Sequence, residues 1–107
     1  MQNQDTFAEL EKVLVARKGA SADESYVAGL YQKGLDQILK KVGEESSEVI
    51  IAAKSNNNHE LIKEMADLWF HCMVLLIDQG VSINDVQKEL DRRLGISGLE
   101  EKASRKT

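Results

Sequence analysis

Two acid-bearing segments carry the chemistry of this sequence: Glu44-Glu45-Ser46-Ser47-Glu48 and, further on, Glu64-Met65-Ala66-Asp67. Both lie in strongly helical, mostly apolar text. Carboxylates three or four residues apart share one face of a helix. Like charges placed so repel, and a bound divalent cation is the compensation they call for. With about 100° per residue and Ile38 at zero, Val49 falls near +20°, Val42 near +40° and Ala52 near −40°. On the same wheel Glu45 falls near −20°, inside the apolar arc, Glu48 near −80° at its edge, and Glu44 near −120°. A solvated acid has no reason to occupy the Glu45 position, because isolated buried charge is costly.

Two long helices must position these groups. The first runs from Leu35 to near Ser55, and the second opens at Asn57 and ends before Gly80. Only the polar Asn56-Asn57-Asn58 break separates them, and short connections make antiparallel neighbours. Glu48 and Glu64 each stand eight residues from Asn56, and Glu45 and Asp67 each stand eleven from it. Facing stripes would therefore bring four acids to two adjacent levels of one hairpin. So much negative charge in a partly apolar setting calls for a cation. A donor set of carboxylate oxygens suits Mg²⁺, or Mn²⁺, rather than Zn²⁺. Magnesium bound through carboxylates commonly shares its remaining positions with substrate phosphates. A single ExxE pair is ordinary on a solvated helix; two height-matched pairs beside apolar arcs are not. His71, one turn beyond Asp67, is read as a histidine that orients that carboxylate rather than as a ligand.

The remaining elements are helical too. Thr6-Phe7-Ala8-Glu9 reads as a capping box opening a helix with Phe7, Leu10, Val13 and Leu14 on one face. Ser25 caps a short helix from Tyr26 to Lys33, with Val27, Leu30 and Tyr31 inward and Gly34 as punctuation. The second long helix is apolar nearly all round in its later half, with Leu61, Met65, Leu68, Trp69, Cys72, Leu75 and Leu76 on one side. Phe70, Val74 and Ile77 lie on the other. In so small a chain such a helix needs more cover than one copy supplies, and a homodimer or a larger homo-oligomer is expected to supply it. Ser82, with Asp85 three residues on, caps a further helix whose apolar face is Ile83, Val86, Leu90 and Leu94, ended by Gly95. The expected fold is all-α: a single domain over residues 1–107, an antiparallel hairpin core completed by dimerisation into a helical bundle. The tail from about residue 96 is expected to be peripheral, with one turn of helix after Ser97.

Composition sets the outer bounds. With 14 basic and 18 acidic residues the net charge is −4. No overall basic footprint marks a nucleic-acid partner, although a local cation cluster would suffice for a small anion. The one cysteine excludes an internal disulfide framework and fits a reducing compartment. The apolar stretch from Leu68 to Ile77 is too short for a bilayer, and no cationic, apolar leader begins the chain. A cytoplasmic protein with no membrane partner is expected. Lys41, one turn from Glu45, is the best phosphate contact; Lys33, Arg92, Arg93, Lys102 and Arg105 are weaker ones. Arginine suits bidentate phosphate contacts. No nucleophile–histidine arrangement stands out.

The run Lys40-Lys41-Val42-Gly43-Glu44-Glu45-x-x-Glu48 followed by Glu64-x-x-Asp67 resembles the ExxE…ExxD pattern of the all-α nucleoside triphosphate pyrophosphohydrolases. Ser25-Tyr26-Val27, Lys33-Gly34, Val49 to Lys54 and the tail Ser97-Gly98-Leu99-Glu100-Glu101-Lys102-Ala103-Ser104-Arg105-Lys106 narrow the resemblance to the phosphoribosyl-ATP pyrophosphohydrolases of histidine biosynthesis. It covers about residues 6–106, without the cyclohydrolase domain to which some members are fused. The resemblance implies a homodimeric, Mg²⁺-dependent helical enzyme acting on a small nucleotide substrate. It makes Glu45, Glu48, Glu64 and Asp67 the metal ligands, with Glu44 a further contact or base. Catalytic work is expected of Glu44, Glu45 and Glu48, the proton going to Glu44 or Glu48. Two other readings are a house-cleaning pyrophosphohydrolase for non-standard nucleotides and a non-catalytic helical dimerisation module.

Overall fold

The computed structural model describes residues 5–95. Over them the chain is helical, with no strand among the described residues. The elements are α1 (Thr6–Ala16), a 3-10 turn (Arg17–Gly19), α2 (Tyr26–Lys33), α3 (Leu35–Lys54), α4 (Asn58–Asp78) and α5 (Ile83–Leu94). The expected turn of helix after Ser97 lies outside the described residues.

Helix boundaries follow local capping chemistry. Ser25 Oγ accepts from Ala28 N at 3.1 Å, Asn57 Oδ1 from Glu60 N at 3.1 Å, and Ser82 with Asp85 forms a complete capping box. At α1 the cap is displaced by one residue. Thr6 is already helical, and the Asp5 carboxylate accepts from Ala8 N. Aspartate is as good an N-cap as threonine, so the earlier residue starts the helix. Gly34 ends α2 and starts α3 with φ +96°, a backbone conformation that a side chain would strain. The α3–α4 loop is just as tight. Asn56 sits at φ 58°, and its N–H returns to Ala53 O at 3.2 Å. Asparagine tolerates this left-handed position when glycine is absent.

The three-residue connection makes α3 and α4 antiparallel neighbours, and they pack on each other more extensively than any other pair. The core gathers at the end of the hairpin away from its loop. There Leu14, Val27, Leu30, Ile38, Met73, Val74 and Ile77 are buried together. Tyr31 donates its hydroxyl to Leu14 O at 2.9 Å, tying α2 to the end of α1. Glu11 reaches from α1 to the start of α5 and accepts from Ile83 N at 2.8 Å and from Ser82 Oγ at 3.3 Å.

The two apolar sides of α4 are covered unequally, with Leu68, Cys72, Leu75 and Leu76 half-buried. Met73, Val74 and Ile77 are buried, while Trp69 is 50% exposed. The apolar face of α1 is unevenly covered too: Leu14 is buried, but Val13 and Phe7 stay exposed. Likewise Val86, Leu90 and Leu94 of α5 are exposed. Phe7, Trp69, Cys72, Leu76, Val86 and Leu90 instead line an open apolar groove of about 620 Å³. Among the described residues no single helix is long and apolar enough to cross a membrane; α4 with α5 reaches that length only as a pair bent by 109°.

Candidate metal centre

Midway along the hairpin, α3 presents Glu45 and Glu48 to Glu64 of α4. Each of these three carboxylates offers an oxygen, and the three oxygens lie within 4.8 Å of one another. Glu45 is 6% exposed. Its Oε2 lies 3.6 Å from Lys41 Nζ, while its Oε1 is sealed from solvent with no hydrogen-bond partner. Glu64 Oε1 is likewise sealed and unpartnered. Buried acceptors left in this state cost free energy, and a cation would relieve both. A hydrogen bond with Glu48, then desolvation, then the charges of Glu48, Asp67 and Glu60 push the Glu64 carboxyl above its ordinary pKa. Without a cation the Glu64 carboxyl therefore holds its proton more readily than an isolated acid.

The spacing and the donor set fit a hard divalent cation. Three carboxylate oxygens within 4.8 Å of one another are close enough for one small hard cation to be shared among them. No sulfur or imidazole belongs to the cluster. Asp67 is the expected fourth ligand, and its carboxylate is not among the three that converge. It lies one turn beyond Glu64, half-buried, and close enough to raise the Glu64 pKa.

His71 is buried, but it does not orient the Asp67 carboxylate in the way the sequence suggests. Its Nδ1 is 2.8 Å from the main-chain oxygen of Asp67, and its Nε2 is 2.9 Å from Tyr26 Oη. A carbonyl only accepts, so Nδ1 carries the proton and, in the neutral ring, Nε2 accepts from the tyrosine. The imidazole thus locks α2 to the turn of α4 that bears Asp67. Sequence reasoning missed Tyr26 in this role, because the pair is 45 residues apart and joins different helices.

Lys41 lies beside the cluster, 3.5 Å from Glu44 and 3.6 Å from Glu45. Burial lowers its pKa, but Tyr26, Glu44 and Glu45 outweigh that and hold the ammonium above its ordinary value. Glu44 itself stands outside the converging three. Arg92 and Arg93 both donate to Glu89 on their own helix, at 2.8 and 2.9 Å. Lys33 is exposed in the last turn of α2. Lys102 and Arg105 lie outside the described residues. Toward the hairpin loop the cluster opens into a second cavity of about 280 Å³, lined by Glu48, Glu64, Ile51, Ala52, Ser55, Asn57 and Glu60.

A helical hairpin with Glu45 and Glu48 set against Glu64 is the arrangement implied for all-α pyrophosphohydrolases, and by fold and acid pattern the chain falls in that class. The profile of the phosphoribosyl-ATP pyrophosphohydrolases matches residues 7–94, and the chain belongs to that family. A phosphoribosyl-ATP pyrophosphatase of Methylococcus capsulatus is 57% identical over 102 residues, covering 95% of this chain and 97% of the relative. Those of Ruthia magnifica and Hydrogenovibrio crunogenus are each 54% identical, over 94% of this chain and 96% and 93% of their own lengths.

Proposed function

We propose that this chain hydrolyses 1-(5-phosphoribosyl)-ATP to 1-(5-phosphoribosyl)-AMP and pyrophosphate, the second step of histidine biosynthesis, with Mg²⁺ (or Mn²⁺) held by Glu45, Glu48, Glu64 and Asp67. The family, and relatives that are themselves phosphoribosyl-ATP pyrophosphatases, support the reaction. The observation that carries the metal reading is the pair of sealed, unpartnered oxygens on Glu45 and Glu64. Their cluster is built of carboxylates from both arms of the hairpin.

A divalent cation held there would supply charge neutralisation for the phosphoryl oxygens and a more acidic water. The chain's own groups do the rest. Glu45 is fixed by burial and by Lys41. Lys41 presents a fixed positive charge to the phosphates, where it can exchange its carboxylate partners for phosphoryl oxygens. Glu44 lies outside the cluster and is free of ligand duty, so it takes the proton of the water; Glu48 is the other carboxylate within reach of that task. His71 and Tyr26 hold the Asp67 turn in register with the cluster.

A second copy completes the fold. The partly covered side of α4 around Trp69, the exposed face of α5 and the groove between them are the surface a homodimer would bury. A reducing, cytoplasmic setting suits the single thiol, Cys72.

Release of pyrophosphate from phosphoribosyl-ATP, compared with dCTP, dUTP and ITP, tests the reaction. Turnover of the first and little of the others is expected; no turnover of the first refutes it. Calorimetric titration with Mg²⁺ tests the centre, and light scattering tests the dimer.

A further inference from the structure

Asp67 is the acid that the proposed centre calls for and that the hairpin alone does not bring in. Its carboxylate stands outside the converging three. Among the described residues that carboxylate makes no hydrogen bond or ion pair. Nothing polar restrains the side chain, so the reach of its oxygens depends on how the main chain beneath it is held.

That main chain is tied to another helix. His71 Nδ1 donates to Asp67 O at 2.8 Å, and His71 Nε2 accepts from Tyr26 Oη at 2.9 Å. Both nitrogens of a buried imidazole are thereby used. The ring also meets two aromatic neighbours edge-on, Phe70 with centroids 5.2 Å apart and Tyr26 with centroids 5.8 Å apart. The imidazole takes the carbonyl of Asp67 and not its carboxylate, so both side-chain oxygens stay available to a cation. Tyr26 is itself firmly held. It is the first residue of α2, directly behind the Ser25 cap, and Val27, Ala28 and Leu30 of the same helix are buried. A rigid element thus reaches across to the turn that carries Asp67, and rigid support is what keeps a ligand aimed.

We infer that Tyr26 is a positioning residue of the cation centre: acting through His71, its hydroxyl holds the turn of α4 that carries Asp67, and so sets the affinity for a divalent cation. Groups one step removed from metal ligands govern affinity by about 10–100-fold. Without the hydroxyl the imidazole keeps Asp67 O but loses α2. Cation binding must then order a turn that the native protein already holds in place.

The inference rests on the reading of Asp67 as a ligand, and its test separates the two without turnover. Thermal melts over a Mg²⁺ series, each read against the melt in EDTA, report affinity apart from fold stability. A tyrosine with only a structural role would lower the EDTA melt and leave the response to Mg²⁺ as in wild type. Tyr26→Phe should instead also move the Mg²⁺ response to about tenfold higher concentration. Asp67→Asn should move it at least as far. Adding Tyr26→Phe to Asp67→Asn should move it no further, because a residue that acts through Asp67 then has nothing left to position. The inference alone is overturned if Asp67→Asn weakens Mg²⁺ while Tyr26→Phe responds as wild type does. It is overturned equally if Tyr26→Phe shifts the response as much with Asn at position 67 as with Asp. A wild-type response in Asp67→Asn would remove Asp67 from the ligand set, and the inference with it.

Discussion

Replacing Glu45 by Gln should make the protein more stable without a cation and less stable with one. In the metal-free chain Glu45 Oε1 is sealed and unpartnered, and two further carboxylates stand within 4.8 Å. A buried polar atom left in that state costs about 1–3 kcal/mol, more when it is charged. Against this stands the attraction of Lys41 at 3.6 Å. With Lys41 partly exposed, that pair is worth about 1 kcal/mol or less. Glutamine keeps the shape and removes the charge, so the metal-free variant should gain about 1–2 kcal/mol. Each kcal/mol moves the Tm of a domain this size by about 4–8 °C. At a Mg²⁺ concentration 100 times its Kd, wild type gains about 2.7 kcal/mol from binding. Losing a direct anionic ligand should weaken Mg²⁺ by about 100-fold, the upper end of what even indirect ligand partners cost. The variant then gains only about 0.4 kcal/mol at that concentration. Thermal melts in EDTA and in Mg²⁺ should therefore cross: variant above wild type in the first, below it in the second. Lower stability in EDTA, or an equal response to Mg²⁺ in both proteins, would refute the reading of Glu45 as a strained ligand.

Asp67→Asn should cut pyrophosphate release by about 100-fold or more while the helical circular dichroism is kept, a loss on the scale of removing one charge-stabilising group; near-wild-type turnover would contradict its place in the set. Tyr26→Phe removes the hydroxyl that meets His71, and the melt should fall by about 4–8 °C for about 1 kcal/mol, with the ¹⁵N shift of His71 Nε2 changing and that of Nδ1 kept. Glu11→Ala strips the start of α5 of its partner from α1; a loss of about 1–2 kcal/mol is expected, with faster hydrogen exchange at Ile83. Hydrogen bonds from Arg92 and then Arg93 lower the Glu89 carboxyl to about 2. Because its folded pKa is depressed, whatever Glu89 adds to stability is present above its unfolded pKa and is lost as pH falls through about 2. A carboxyl ¹³C titration near the ordinary 4.5 would show that the two guanidinium contacts do not persist in solution.

Local chemistry and periodicity are one-dimensional properties, and the sequence alone settled what depends on them. Helix type, the caps at Ser25, Asn57 and Ser82, and the break at Asn56 all follow from residues within four positions of each other. The meeting of Glu48 with Glu64 is nearly as local, since one tight loop sets both heights. The ends of α1 show the limit: Asp5 and Thr6 are adjacent good caps, and which one acts depends on the chain's path into the helix.

What the sequence left open belongs to the third dimension. Composition shows α4 apolar on two sides, but only packing against α1, α2 and α3 selects the Val74–Ile77 side for the core and leaves Trp69 exposed. The partner of His71 had to be found on another helix, 45 residues away. Asp67 is as far from the turn as Glu45, yet its carboxylate is not among the converging three, because equal spacing from a turn sets height and not the direction of a side chain. The acids and their heights were thus written in the sequence. Which oxygens are sealed came only from two helices packed face to face, because burial is a property of neighbours that no single segment carries.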